Sequence, residues 1–264
     1  MEFNTIRFEH RETGVAVVTL NRPDAFNAIN RELAIELNQL IEQIQDNEEI
    51  RATIITGAGK PFCAGGDLSW LLEADDNLKK REIVAKSGEL ITKLDKINKP
   101  LIAAINGPTA GAGTAIALAC DIIVASEKAK FTPNFVNIGA VPDSGASWYL
   151  PRAVGYHKAA ELMLMGDVLS AQEARDLGIF NKVVPGEELE ESAMQYARRL
   201  AKGPQRSVEY IKDMLKQSQN NTLQAQLEIE SSMQIMAWSD PDFQEGVNAF
   251  LEKREPDFGK YNKN

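Results

Sequence analysis

The stretch from Pro100 to Asp121, PLIAAINGPTAGAGTAIALACD, constrains the fold more than any other. Leu101 to Ile105 is a short unbroken apolar run bounded by turn residues, the pattern of a buried strand. Asn106-Gly107-Pro108 turns the chain. Gly111-Ala112-Gly113 follows, and the small and apolar residues Ala115 to Ala119 suit a close-packed helix. A strand, a glycine-rich turn and a helix leave the first helical N–H groups unpaired at the positive end of the helix. Such amides can hold an anion, or the oxygen of a carbonyl that is becoming one. A plain connecting turn is the other reading. The dinucleotide fingerprint fails, because Ile116 stands where a small residue is needed. A phosphate-binding P-loop fails too, since no Lys-Ser or Lys-Thr closes the glycine run.

Upstream, Val15 to Leu20 reads as a strand after a charged edge segment. Asn30 caps a helix with Leu33, Leu37, Leu40, Ile41 and Ile44 on one face. Ala52 to Thr56 is a second short strand, so the order is strand, helix, strand, as in a parallel α/β layer. A second glycine-rich loop, Gly57 to Asp67, then leads into Leu68-Ser69-Trp70-Leu71-Leu72. Gly66, without a Cβ, offers a backbone N–H that a ligand can approach closely. Paired with the turn at Gly111 to Gly113, it would complete a two-donor oxyanion site.

Only His10 and His157 are present, both beside charged residues and far from the glycine turns. Ser-His-Asp, Cys-His and His-metal chemistry is therefore disfavoured, and acid–base work falls to carboxylates, Lys, Tyr or backbone groups. Cys63 and Cys120 sit in apolar surroundings without disulfide or metal spacing, which points to a reducing, cytoplasmic setting. A formal net charge of −9 argues against nucleic acid or an anionic membrane as the main partner. The first residues, MEFNTIRFEH, do not read as a signal peptide, and no apolar run has membrane-spanning length.

Glu73 to Lys86 is polar and charge-mixed, a solvated helix face whose position also suits a flap over a pocket. Beyond Asp121, Ile122 to Ala125 reads as a strand, Ala129 to Phe135 as extended and Ile138 to Gly145 as a turn. Trp148 to Leu150 continues into a helix, and His157 to Met165 forms an amphipathic one that stops at Gly166. Ser170 and Glu173 form a capping box, and Val183-Val184 is a last short strand. From Glu187 onward the composition shifts to helix formers, with helices expected at about 187–202, 204–218, 222–238 and 241–253. The chain divides into an α/β core over residues 1–200 and a helical region over residues 201–264, suited to packing against a neighbouring subunit.

These residues resemble the crotonase (enoyl-CoA hydratase/isomerase) superfamily. The similarity rests on Phe62 to Asp67, Ala104 to Gly107, Gly111 to Gly113 and Cys120-Asp121-Ile122, and extends from Val15 to Arg254. The resemblance implies a spiral core of repeated ββα units. It implies a C-terminal helical region that drives trimerisation, often with two trimers forming a hexamer. It also implies an acyl-CoA thioester substrate, with coenzyme A part of the substrate and no separate cofactor or metal. Carried over by position, the oxyanion hole would be the backbone N–H groups of Gly66 and Ala112. The adenine and phosphate pocket matches Arg22, Ala25 and Ala64, while Phe250 and Lys253 resemble residues that reach a neighbour's coenzyme A.

Two departures bear on the reaction. The hydratases of the family carry two glutamates, and this chain has Ala115 and Phe135 at those positions. Hydration needs one group to deprotonate water and another to deliver a proton. One acid does match: Asp143, in Val141-Pro142-Asp143-Ser144-Gly145, stands where the double-bond isomerases of the family have a lone carboxylate. Pro-Asp-Ser-Gly is also an ordinary turn sequence, with the Asp bonding its own backbone. The stretch Pro142 to Arg152 resembles the isomerase branch that includes the phenylacetate-pathway ring/enoyl-CoA isomerase. Double-bond isomerisation with Asp143 as the single acid/base is therefore the leading expectation. Hydration of a 2-enoyl-CoA and a catalytically silent acyl-CoA-binding role are the alternatives. A hydrolase or dehalogenase ranks low, since Gly88 stands where the dehalogenase has a His. Phe26, Trp70, Leu71, Leu72, Phe135, Trp148 and Tyr149 are candidates for the acyl pocket, with core packing as the competing role.

Overall fold

The computed structural model describes residues 3–258. Its strands are β1 (Ile6–Glu12), β2 (Gly14–Leu20), β3 (Ile50–Gly57), β4 (Leu101–Ile105), β5 (Pro108–Ala110), β6 (Ile122–Ser126), β7 (Lys130–Thr132), β8 (Leu169–Ser170) and β9 (Lys182–Val184). The helices of the core are α1 (Arg31–Asp46), α2 (Leu68–Leu72), α3 (Asn77–Lys96), α4 (Ala112–Leu118), α5 (Ala146–Val154), α6 (Tyr156–Met165), α7 (Ala171–Asp176) and α8 (Leu189–Ala201). They are followed by α9 (Gln205–Ser218), α10 (Leu223–Trp238) and α11 (Pro241–Glu252).

Six strands form one sheet in the order β1-β2-β3-β4-β6-β9, with β1 antiparallel to β2 and the rest parallel. Strands β5, β7 and β8 form a second, smaller sheet. Single bridges extend this inner layer, Ile29 to Gly66 and Cys63 to Thr109. Each turn of the chain thus gives one strand to the large sheet, a short extended piece to the inner layer, and then helix. That repeat is the spiral of ββα units, and this is the crotonase α/β fold.

The strand period of two divides the apolar residues between the two faces of the large sheet. Ala16, Val18, Ile55, Ala103 and Ala125 face a core that includes Leu33, Leu37 and Leu40 of α1 and Leu90 and Leu94 of α3. Val15, Ile54, Ile102 and Val124 face Leu189, Ala193, Met194 and Ala197 of α8. Each fully buried aliphatic side chain contributes about 1.5–3 kcal/mol. Asn30 caps α1, its Oδ1 accepting from the Leu33 N–H at 2.9 Å. The Ser170–Glu173 capping box at α7 is present with both of its bonds.

Some elements differ from the sequence reading. The charged edge segment is the edge strand β1, since Ile6 is buried and β2 supplies its hydrogen-bond partners. The polar stretch after Glu73 is exposed helix from Asn77 on, as read, but it is the first half of a longer α3 that runs on to Lys96 and buries Ile83.

Lys212 is a principal polar link between helix α9 and the core. Lys212 Nζ donates to Asp121 Oδ2 at 2.6 Å and to the Lys99 carbonyl at 2.8 Å. The same carboxylate oxygen accepts from the Leu101 N–H at 2.7 Å. The start of β4, the residue before β6 and the first C-terminal helix therefore meet at one carboxylate. Lys212 is buried, whereas Asp121 keeps part of its carboxylate in water, so losing the lysine removes two charge-assisted hydrogen bonds without stranding a buried charge. Lys212→Ala is expected to lower unfolding stability by about 2 kcal/mol, measured by urea denaturation.

Candidate active site

The two glycine turns pack backbone against backbone. A Cβ on Gly65 (φ +94°) would lie 3.0 Å from the Ala110 carbonyl and 3.1 Å from the Ala112 nitrogen. A Cβ on Gly113 would lie 2.4 Å from the Cys63 carbonyl. Only glycine permits this approach at either position. The Ile29 N–H donates to the Gly65 carbonyl at 2.7 Å, and the Asp67 N–H donates to the Ile29 carbonyl at 2.9 Å. Successive residues of an extended segment point their backbone groups to opposite sides. With residues 65 and 67 turned toward Ile29, the N–H of Gly66 faces the other way. Gly111 (φ +50°) holds the second turn, its N–H donating to the Thr132 carbonyl at 3.2 Å. Ala112 is the first residue of α4, so its N–H has no acceptor within the helix.

Gly66 and Ala112 line one cavity of about 380 Å³, and Asp143 lines it with them. Ala25, Ala64, Trp70 and Phe135 are also in its wall. Ile83 and Ser87, one turn apart on α3, add a helix face, and Leu71, Asn134, Ile138, Ala140 and Val141 complete much of the remainder. The sequence reading missed Ile83, Ser87 and Asn134. The four-residue spacing of the first pair was the available signal for a shared face.

The cavity holds two carboxylates in opposite electrostatic states. Burial raises the Asp67 carboxyl, but the Arg22 guanidinium at 2.9 Å and the Ser69 N–H at 3.0 Å outweigh it and hold the pKa below the usual carboxylate range. Asp67 also caps α2. Burial raises the Asp143 carboxyl, and the Ser144 hydroxyl, donating at 3.0 Å, offsets this only in part. Among the described residues no Lys or Arg forms an ion pair with Asp143. The left-handed Ser144 (φ +52°) and Gly145 (φ +76°) follow, and the Asp143 carbonyl accepts from the Ala146 N–H at 2.9 Å at the start of α5.

Several candidates lie elsewhere. Arg22 binds Asp67 and the Ala28 carbonyl, so it straps the first loop to the second instead of standing free in the cavity wall. Ala115 is wholly buried in the core beneath the turn. Trp148, expected in the acyl pocket, is corrected: it lines a separate cavity, with Arg152 stacked 4.0 Å from its ring. Tyr149 lines that second cavity too, its hydroxyl bonded to Asp95 at 3.0 Å. The helical turn from Asp143 into α5 carries both rings away. Leu72 is 85 % exposed, whereas Phe26 and Leu71 line the main cavity. Phe250, 83 % exposed, and Lys253 lie at the end of α11, outside the cavity wall. Burial pushes the thiols of Cys63 and Cys120 up to about 12, which removes both as nucleophiles at neutral pH. Among the described residues no group of three or more His, Cys, Asp or Glu is placed to hold a metal ion. Nor is any described helix long and apolar enough to cross a membrane.

A spiral α/β fold with backbone donors and an acid around one apolar cavity defines an enzyme of the crotonase type. The family model described as enoyl-CoA hydratase/isomerase matches residues 10–261. The chain is 39% identical over 257 residues to a 1,2-epoxyphenylacetyl-CoA isomerase of Escherichia coli, covering 94% of this chain and 96% of that one. It is 37% identical to a probable enoyl-CoA hydratase of Rhodobacter capsulatus, covering 98% and 99%. A crystal structure of an enoyl-CoA hydratase from Bacillus anthracis superposes with a TM-score of 0.93 at 32% identity, over 97% of this chain and 99% of that one. The protein belongs to the enoyl-CoA hydratase/isomerase family.

The state of Asp143 has a consequence for stability. Its folded pKa is raised, so the stability it contributes is present at acid pH and lost as pH rises through the folded value. Asp143→Asn is therefore expected to melt higher than the unaltered protein at neutral pH. The difference should vanish as pH falls below about 4, the ordinary carboxylate range. Thermal melts across that pH range check it.

Proposed function

We propose that the protein isomerises the double bond of an enoyl-CoA thioester, with Asp143 as the single acid/base. The supporting observation is that, among the described residues, Asp143 is the one carboxylate of the cavity wall without an ion pair, while Asp67 is spent on Arg22. In this reading the Asp143 carboxylate removes a proton from the carbon alpha to the thioester. The electron pair moves into the carbonyl, and the N–H groups of Gly66 and Ala112 hold the oxygen as it becomes negative. Donors fixed in this way lower the barrier by several kcal/mol, since they need no reorganisation as charge develops. Asp143, now protonated, returns the proton two carbons further along. A carboxyl with a raised pKa suits both halves of the transfer.

Hydration would need a second group on the water, and the positions that supply it in the family's hydratases are Ala115 and Phe135. The former is buried in the core, and the latter puts a ring in the cavity wall. Ala25 and Ala64 would bound the coenzyme A end, with Arg22 acting through the loop it fixes. We also propose a homotrimer or a hexamer. In support, Leu215, Leu223, Trp238, Phe250 and Leu251 of α9, α10 and α11 are more than half exposed. Phe250 and Lys253 would then meet the coenzyme A of a neighbouring copy. A cytoplasmic setting belongs to the same reading, supported by two buried free cysteines.

Asp143→Asn should lower kcat for a 3-enoyl-CoA by roughly 10²–10⁴-fold and leave coenzyme A binding nearly intact. For the unaltered enzyme, kcat/KM should fall toward acid pH with a limb above the ordinary aspartate value, because the base must be ionised. Unchanged turnover in the variant removes Asp143 from the chemistry. Brisk formation of 3-hydroxybutyryl-CoA from crotonyl-CoA favours hydration instead.

A further inference from the structure

A second cavity of about 250 Å³ is lined by Asp95, Asp121, Tyr149, Arg152 and Lys216. It lies where α5 meets α9 and the end of α4. Lys216 Nζ is buried there, with no hydrogen-bond acceptor among the described residues. Its ion-pair partner, Asp95 Oδ1, stands 3.6 Å away and already accepts from the Tyr149 hydroxyl at 3.0 Å. An ammonium removed from water without acceptors is costly, and such a group calls for a partner.

The carboxylates of the wall are already engaged. Asp121 is engaged by Lys212 at 2.6 Å and by the Leu101 N–H at 2.7 Å. Arg152 is held ready, its guanidinium 4.0 Å from the Trp148 ring and its Nη1 donating to the Trp148 carbonyl at 2.9 Å. Two cations of the wall, Lys216 and Arg152, therefore face two carboxylates, each with a donor already bonded to it. The free volume exceeds what a single water needs. A planar or tetrahedral oxyanion offers several acceptor atoms at once, which suits a forked guanidinium beside an ammonium.

We propose that this cavity binds a small oxyanion, inorganic phosphate or a small carboxylate, between Lys216 and Arg152. The bound ion would tie α5, whose first turn follows Asp143, to α9. The test is a thermal-melt titration with phosphate and with acetate, against chloride at matched ionic strength. The unaltered protein should show a saturable rise of about 3–5 °C at about tenfold excess over the dissociation constant for at least one oxyanion. Lys216→Met should melt at least as high as the unaltered protein in chloride, because it removes the stranded ammonium, and should show no saturable rise. Arg152→Gln should weaken the apparent affinity by about tenfold. Three results would overturn the proposal: no saturable rise in the unaltered protein, an equal rise in Lys216→Met, or saturation by chloride alone. The second would also place any phosphate effect at another site.

Discussion

Everything at the site depends on two glycine turns lying against each other with no side chain between them. A Cβ on Gly65 would lie 3.1 Å from the Ala112 nitrogen and 3.0 Å from the Ala110 carbonyl, so the turns close on each other only because residue 65 has none. Asn27 and Asn106 keep the first turn in place from below. Asn27 Nδ2 donates to the Ala58 and Pro61 carbonyls at 3.0 Å, and Asn106 Nδ2 donates to the Gly59 and Pro61 carbonyls at 3.0 Å. Asn27 is buried and Asn106 half-buried, and such carboxamides satisfy the carbonyls of a loop that has no sheet partner. The amides of residues 66 and 112 are thereby fixed before any ligand arrives, which is what preorganised stabilisation of charge requires.

Electrostatics then separates two aspartates that share a cavity. Asp67 has a guanidinium, a helix to cap and a firm structural duty, and it stays ionised. Asp143 has a hydroxyl neighbour and an apolar setting that includes Phe135 and Val141, and its proton is held more tightly. Opposite shifts in adjacent carboxyls divide roles between them. The Arg22–Asp67 pair gives the first loop a defined position relative to the second, a contribution to geometry more than to net stability.

The C-terminal helices are joined to this core through few polar contacts and present a broad apolar face. Lys212 reaches the carboxylate at the end of the central segment, and Lys216, one turn further along α9, looks into the second cavity. Both lysines lie on the same helical face, so one side of α9 carries its polar anchors. Ile211 and Leu215, on the other side, are exposed.

The sequence alone determined the parallel strands of the large sheet, most of the helices, the glycine turns and the position of Asp143, because these depend on local signals. Periodicity fixed the helices, caps fixed their starts, and the lack of a Cβ marked the turns. The edge strand β1 was not legible, since its charged residues face water and only pairing with β2 reveals it. The direction of side chains was not legible either. Trp148 and Tyr149 stand within six residues of Asp143, yet the helical turn of α5 directs them to another cavity. Ser87 and Asn134 belong to the wall because α3 and the segment after β7 fold back over the turns. The pairing of Arg22 with Asp67, forty-five residues apart, likewise exists only in three dimensions. Local chemistry selects the elements, but which faces meet is settled by how the layers close on one another.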